Sequence, residues 1–198
     1  MKKPILFILL MLLCGAGYTQ KQGQAAIDSM LNDLPKAKED TNRVILLNCL
    51  AFTYRLINPD EGIKYGQGAL ALATKLVWKK GIAWANDNLG VNYQHKSDYP
   101  KALEYFLSAL KIFEETGEKY GIAKATGHIG TVYYDLRDYP KAMEYDFNSL
   151  KAHEKIGDNS GIATENMNIG VVYSTLTDYP KALEYTFKAL KIFEGKRG

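Results

Sequence analysis

A block of eight residues occurs three times at a spacing of 40 residues, and this recurrence constrains the fold more than any other feature of the chain. The block begins Asp-Tyr-Pro-Lys-Ala and occupies residues 98–105, 138–145 and 178–185. A second block, Leu/Ile-Gly-x-x-Tyr, keeps the same register at residues 89–93, 129–133 and 169–173. A weaker copy of both blocks precedes them at residues 50–54 and 58–65. Four copies at one period indicate a repeat protein whose units pack against their neighbours.

Each period predicts two helices. The second of them carries apolar residues at helical spacing, as in the set Ala102, Tyr105, Phe106, Ala109, Leu110 and Phe113. Asp98, Asp138 and Asp178 each precede a proline by two residues, which is typical of a helix N-cap followed by proline in the first turn. Gly117 and Gly157 are expected to end the second helices in the left-handed conformation.

Three glycines are predicted to lie in the middle of helices. Gly90, Gly130 and Gly170 occupy one position of the repeat. A glycine in a helix interior costs about 1 kcal/mol relative to alanine. We therefore expect another helix to approach each glycine closely.

The repeated residues resemble those of a known family. Its pattern is carried here by Leu89, Gly90, Tyr93, Ala102, Phe106 and Ala109, whereas in the next copy the aromatic residue, Phe147, lies one position late. From Thr41 to Phe193 the chain resembles the tetratricopeptide repeat family, in an extended version with a 40-residue period. The resemblance implies an all-α fold, a right-handed α-solenoid of helix-turn-helix repeats.

This interpretation divides the chain into six segments. Residues 1–20 are assigned to a signal peptide and residues 21–40 to a helical lead-in. The repeats are then a degenerate repeat 1 at residues 41–80, repeat 2 at 81–120, repeat 3 at 121–160, and an incomplete, uncapped repeat 4 at 161–198. Because solenoids usually end in a polar cap, we expect self-association through the last helix, or a chain that is part of a longer protein.

The first twenty residues predict export. Lys2 and Lys3 form a basic n-region, and residues 5–13 form an apolar h-region. The stretch from residue 4 to 17 is too short for a comfortable membrane span. We expect cleavage between residues 16 and 20 and a periplasmic or secreted location. Lipid anchoring at Cys14 is the less favoured alternative, since the bulky Leu13 is a poor match beside the cleaved bond.

The resemblance also implies where a ligand would bind. In such solenoids the first helices line a concave groove that holds peptides or partner proteins. The corresponding positions in this chain are Trp84, Asp87, Asn88, Gln94, Lys124, His128, Thr131, Tyr134, Thr164, Asn168 and Ser174. Lys124 is the only cation among them, which argues against a clamp for a terminal carboxylate.

The sequence gives no reason to expect catalysis, a metal or a cofactor. His95, His128 and His153 lie in different helical phases without further ligands at metal-binding spacing. Lysine and glutamate side chains three residues apart, such as Lys101 and Glu104, are typical of solvated pairs. No pair of carboxylates with raised pKa values is therefore predicted.

Charge and cysteine content exclude further classes. The formal net charge of +3 falls to +1 without the first twenty residues, which contain two lysines and no acid, so a nucleic-acid partner is not expected. Cys49 lies in the apolar run from residue 44 to 52, which predicts a buried, unreactive thiol.

Two functions remain open at this point. The first is a non-catalytic scaffold in the cell envelope that binds a protein or peptide. The alternative is a truncated sensory region of a signal-transduction protein, such as a histidine kinase, a nucleotide cyclase or a helix-turn-helix regulator, whose output domain is missing.

Overall fold

The computed structural model describes residues 23–195, and these residues contain nine α-helices and no strand. Helix α1 spans residues 23–33 and is followed by a 3-10 turn at Leu34–Lys36. The remaining helices are α2 (Thr41–Tyr54), α3 (Pro59–Lys75), α4 (Lys79–His95), α5 (Tyr99–Thr116), α6 (Lys119–Asp135), α7 (Tyr139–Ile156), α8 (Asn159–Thr175) and α9 (Tyr179–Glu194). The predicted signal peptide lies outside the described residues.

Helices α2 to α9 pack as four successive antiparallel pairs, in the order α2/α3, α4/α5, α6/α7 and α8/α9. The second helix of each pair also packs against the first helix of the next pair. Each pair thus buries its apolar faces against its neighbours, as expected of an α-solenoid. The predicted all-α solenoid of helix-turn-helix repeats is confirmed.

The first helices of the pairs form one layer and the second helices another, and neighbouring helices lie closer together in the first layer. The first helices contact one another, α2 with α4, α4 with α6 and α6 with α8. Within the described chain, no two second helices bring Cα atoms within 8 Å of each other. The layer of first helices is therefore the tighter one and forms the concave face.

The predicted helix ends are confirmed. The side chains of Asp98, Asp138 and Asp178 accept hydrogen bonds from the backbone N–H groups three residues later, at 3.4, 3.3 and 3.3 Å. Gly117 and Gly157 end α5 and α7 with φ values of 68° and 70°. Because these caps satisfy otherwise unpaired backbone groups, they set where each helix begins and ends.

The interior of the solenoid is built on small and aromatic residues. Phe106 and Phe113 of α5 are fully buried between α4 and α6. A Cβ atom at Gly90 would lie 2.6 Å from the ring of Phe106, and one at Gly170 would lie 2.9 Å from Oγ1 of Thr186. The prediction that these glycines allow close approach of a second helix is confirmed.

Two features bear on the surroundings of the protein. Among residues 23–195, no helix combines the length and hydropathy needed to cross a membrane. Helix α9 exposes an apolar row that includes Leu183, Phe187 and Leu190. Self-association through this helix stays a prediction.

Candidate ligand-binding groove

The concave face contains a largely apolar cavity of about 450 Å³ between α2 and α4. Its walls include Ile45, Phe52 and Trp84, and its polar lining includes the amides of Asn48 and Asn88. Asn88 Nδ2 donates a hydrogen bond to Asn48 Oδ1 at 3.2 Å, so these two amides also join the helices. We call this space the apolar cavity.

Lys124 of α6 reaches over the apolar cavity. Its Nζ lies 5.5 Å from the ring centroid of Phe52 and 5.9 Å from that of Trp84, distances at which a cation is attracted to an aromatic face. The Trp84 ring is itself held edge-on against buried Phe113, with centroids 4.9 Å apart. The aromatic wall is therefore fixed by packing.

Cys49 is exposed and lines the apolar cavity, so the prediction of a buried thiol is wrong. Helix α2 buries one face, which consists of Val44, Leu47, Asn48, Leu50 and Ala51. Cys49 lies on the opposite side of the helix, and the run of apolar letters in the sequence does not distinguish buried from exposed positions.

A second cavity of about 520 Å³ follows along the concave face, between α4, α6 and α8. Most of the residues that line it have polar side chains, among them Gln94, His128, Thr131, Glu165 and Asn168. Phe52 and Lys124 line both cavities, which therefore adjoin. We call this space the polar cavity and the two cavities together the groove.

Four of the predicted groove residues bond to one another across neighbouring first helices. Asp87 Oδ1 lies 2.9 Å from His128 Nδ1, and Gln94 Nε2 donates to Thr131 Oγ1 at 3.2 Å. Asp87 is 2% exposed although it lines the apolar cavity. These bonds hold the groove in one shape before any ligand arrives.

The remaining predicted residues divide between the groove and its surroundings. Thr164 and Asn168 line the polar cavity, and Asn168 donates to Glu165 Oε2 at 3.3 Å. The Tyr134 hydroxyl lies 3.1 Å from Thr175 Oγ1, and Tyr134 and Ser174 line neither cavity. The structure thus brings together all the predicted residues except these last two.

Two buried carboxyl groups, Asp146 and Glu165, lie next to the polar cavity and were missed by the sequence analysis. They are 1% and 4% exposed. Burial, together with the nearby charge of Glu165, raises the pKa of Asp146 from 3.8 to about 8, and burial also raises the pKa of Glu165. The prediction that no such pair of carboxylates occurs is wrong.

The repeat register contained a signal for these residues. Asp146 occupies the position of Phe106 and Thr186, and Glu165 occupies that of Ala85 and Ala125. The displaced aromatic residue Phe147 is partly exposed instead of filling the core. Departures from the repeat pattern, read position by position, would have marked both acids.

The grouping of side chains along the groove is suited to binding. Within residues 23–195, no three His, Cys, Asp or Glu side chains are placed to hold a metal ion. The groove offers an aromatic wall, unbonded hydrogen-bonding atoms and charges of both signs. These are the elements that orient a ligand.

Comparisons with known proteins agree with this architecture. The sequence profile described as tetratricopeptide repeat matches residues 42–115 and 81–155. No curated protein matches the chain. At the sequence identities found among solved structures, structural similarity establishes the fold alone.

Three solved structures illustrate the likeness. A Rap protein complexed with Competence and Sporulation Factor is 23% identical, with a TM-score of 0.80 over 89% of this chain and 52% of its own. BtubC (BKLC) from P. vanneervenii is 19% identical, with a TM-score of 0.67 over 96% of this chain and 79% of its own. MamA is 23% identical, with a TM-score of 0.58 over 91% of this chain and 94% of its own.

Proposed function

Because the chain belongs to the tetratricopeptide repeat family, we propose that it is a non-catalytic scaffold that binds a peptide, or an extended segment of a protein, in the groove. The observation that carries this proposal is the continuity of the apolar and polar cavities along the concave face. An extended chain can present an apolar side chain to one cavity and polar groups to the other, whereas a small compact ligand would fill only one.

The chemistry of the groove favours a peptide over a purely apolar ligand. Phe52 and Trp84 offer the kind of aromatic surface that provides much of the energy of peptide binding. Lys124 and Arg55 both contact the Phe52 ring, and within the described chain neither forms an ion pair. Burial lowers the pKa of Arg55, as expected for a guanidinium without a counter-ion. A carboxylate or backbone carbonyl of a peptide would supply that partner.

The proposal can be tested by photo-crosslinking in the native cell fraction. A photoreactive amino acid at Thr53, in the apolar cavity, is expected to capture a peptide or protein that mass spectrometry identifies. The Phe52→Ala and Trp84→Ala variants should reduce capture by about tenfold or more, as for loss of aromatic anchors in other interfaces.

The matched control is Phe187→Ala, which removes an exposed aromatic side chain outside both cavities. This variant should leave capture unchanged. Equal loss in the control, or equal capture by Phe52→Ala, Trp84→Ala and the parent chain, would contradict binding in the groove. Circular dichroism of each variant checks that the helices are retained.

We also propose that the protein acts after export, in the periplasm or outside the cell. The support is the basic and apolar character of residues 1–20. Mass spectrometry of the N-terminal peptide from the envelope fraction would test this, since an intact Met1 on a cytoplasmic protein would contradict it.

A sensory role is a second candidate. The groove has a defined shape and adjoining charged groups, which suits a ligand-responsive module as well as a scaffold. One solved structure with the same fold is the tetratricopeptide repeat sensor of a STAND protein from Pyrococcus horikoshii, of which this chain spans 28%. An output domain encoded together with these repeats would favour this candidate.

A further inference from the structure

Around the polar cavity, four core positions carry polar side chains where repeat 2 carries apolar ones. Forty residues earlier, the equivalent positions are apolar: Phe106, Ala109 and Phe113 in α5, and Ala125 in α6. The polar side chains at these four positions are Asp146, Ser149 and His153 in α7 and Glu165 in α8, and each is at most 4% exposed. The four changes lie on two adjacent helices, α7 and α8, and together make a polar cluster inside an otherwise apolar solenoid.

The backbone of α6 makes room for this cluster. A Cβ atom at Gly127 would collide with Oε1 of Glu165 and lie 3.0 Å from Oγ of Ser149. In the preceding repeat this position is Asp87, so glycine is a departure from the pattern as well. Glu165 and His153 line the polar cavity, through which a ligand can reach the cluster.

The cluster contains polar atoms that the protein itself does not satisfy. Oδ1 of Asp146 has no hydrogen-bond partner, although this side chain is buried. Nδ1 of His153 lies 2.9 Å from Oδ2 of Asp158 without forming an aligned hydrogen bond. Leaving a buried polar atom without a partner costs about 1–3 kcal/mol, which a bound ligand can recover.

The negative charge of the cluster belongs to Glu165, because burial raises the pKa of Asp146 to about 8 and keeps its carboxyl group protonated at neutral pH. Neither Asp146 nor Glu165 forms an ion pair with a base in the described part of the chain. His128 is engaged with Asp87. The two cations that line the polar cavity, Arg55 and Lys124, lie over the Phe52 ring. Asp158 adds a third acid to the lining of the polar cavity. The cluster is therefore electrostatically suited to a positively charged group.

We propose that Glu165, supported by Asp146, binds a cationic group, a guanidinium or primary ammonium, of the peptide held in the groove. This inference rests on the proposed function, because the peptide is what brings the cation to the polar cavity. Asn168 orients the Glu165 carboxylate through Oε2. Oε1 lies beside Gly127 and the Ser149 hydroxyl, and its second lone pair can accept a hydrogen bond from the ligand. The apolar cavity then receives a neighbouring apolar side chain.

A small-molecule titration tests the site without requiring a peptide. The probes are n-butylguanidinium and its neutral isostere n-butylurea, followed through the amide signals of Gly127 and Asn168 by NMR. We expect saturable shifts with n-butylguanidinium only, and their loss in Glu165→Gln. Absence of shifts, equal shifts with both probes, or unchanged shifts in Glu165→Gln would overturn the inference and indicate a cluster that serves packing alone.

A peptide experiment separates this inference from the proposed function. Capped hexapeptide libraries with one fixed residue, Arg, Lys, Gln or Glu, are measured against the parent chain and Glu165→Ala, which restores the alanine of the other repeats. We expect about tenfold tighter binding of the Arg or Lys libraries, as for one charged hydrogen bond, and no preference in Glu165→Ala.

Each outcome bears on one proposal. Peptide binding without a preference for Arg or Lys would overturn the cation site while leaving the peptide-binding function intact. If no library binds but n-butylguanidinium does, the peptide-binding function fails and the cation site stands. Phe52→Ala serves as a control that should weaken all libraries without changing the charge preference.

Discussion

At the scale of single residues, Asp146 shows how one departure from a repeat changes the physics of a core. Phe106 fills the equivalent space with an aromatic ring packed on Gly90, whereas Asp146 packs its carboxyl group on Gly130. Burial of the charged form is costly, so this side chain holds a proton at neutral pH. A core position has thus become a site where stability depends on pH.

The pH dependence has a definite sign. In the unfolded chain Asp146 loses its proton near its ordinary pKa of 3.8, but in the folded protein only near 8. Between these values the folded state holds the additional proton, so the free energy of unfolding decreases as pH rises. Burial raises the pKa of Glu165 as well, which acts in the same direction.

Two histidines, the buried His153 and the partly desolvated His95, act in the opposite direction, but only at lower pH. Burial lowers the pKa values of His95 and His153. Their titration therefore raises the free energy of unfolding as pH rises, and this effect levels off above the ordinary histidine pKa of 6.5. Lys101, Lys141 and Lys181 have pKa values raised above 10.5 by their aspartate partners and remain charged. Between pH 6.5 and 8 the unfolded histidines lose their remaining protons, so the slope there reports increasingly on the buried carboxyl groups.

We predict that the free energy of unfolding falls by up to about 1.4 kcal/mol per pH unit between pH 6.5 and 8, the limit for one proton. Asp146→Asn keeps the shape of the side chain without its ionisation and should flatten this slope. Urea unfolding at four pH values measures both proteins. Parallel slopes for the parent and the variant would show that Asp146 is not the titrating group.

At the scale of helices and turns, the six connections from α3 to α9 use the same left-handed turn with different residues. Gly117 and Gly157 adopt the left-handed conformation freely, but Val77, Ser97, Arg137 and Thr177 adopt it with a side chain. A β-branched residue at positive φ is sterically strained. The solenoid keeps this turn because the following N–H bonds back to the helix, as Trp78 N–H does to Ala73 at 2.9 Å.

Val77 offers the clearest test of this strain. Its φ is 52° and its side chain is 83% exposed, so little packing is lost on truncation. Val77→Gly is expected to stabilise the protein by about 1 kcal/mol, because glycine adopts this conformation without a Cβ clash. Thermal unfolding by circular dichroism measures the change.

Gly117→Ala is the matched control, since it introduces the strain that Val77→Gly removes. It should destabilise the protein by about 1 kcal/mol. A lower melting temperature for Val77→Gly would mean that the flexibility of glycine in the unfolded chain outweighs the relief of strain.

At the scale of the whole molecule, the recurring residues of the repeat predicted the fold but not which polar side chains are buried beside the groove. Recurring residues such as Gly90 and Asp98 act within one repeat: the glycine faces the second helix of its own repeat, and the aspartate caps that helix, in each of repeats 2 to 4. Asp146 and Glu165 are departures that matter because α6, α7 and α8 bring them together. The exposure of Cys49 likewise depends on which face of α2 packs against neighbouring helices, and apolar composition alone does not reveal that face.

Bonds between first helices join the repeats into one body, because a solenoid is stabilised by each repeat and by its contact with the next. The Asp87–His128 pair joins α4 to α6, with Asp87 almost fully buried. His128→Ala leaves a buried carboxylate without its partner, and we predict a loss of about 2 kcal/mol in the free energy of unfolding.

A double-mutant cycle with Asp87→Ala isolates this coupling. We predict that the double variant is clearly more stable than the sum of the two single losses implies, by at least about 1 kcal/mol, since the two residues share one interaction. The pair Gln94 and Thr131 joins the same two helices through a half-buried neutral contact and serves as the matched control, with a coupling energy below about 0.5 kcal/mol.

Urea unfolding of the variants measures both cycles. Additive losses for Asp87 and His128 would mean that the two repeats are joined by apolar packing alone, and the groove would then owe its shape to the helices instead of to its polar lining.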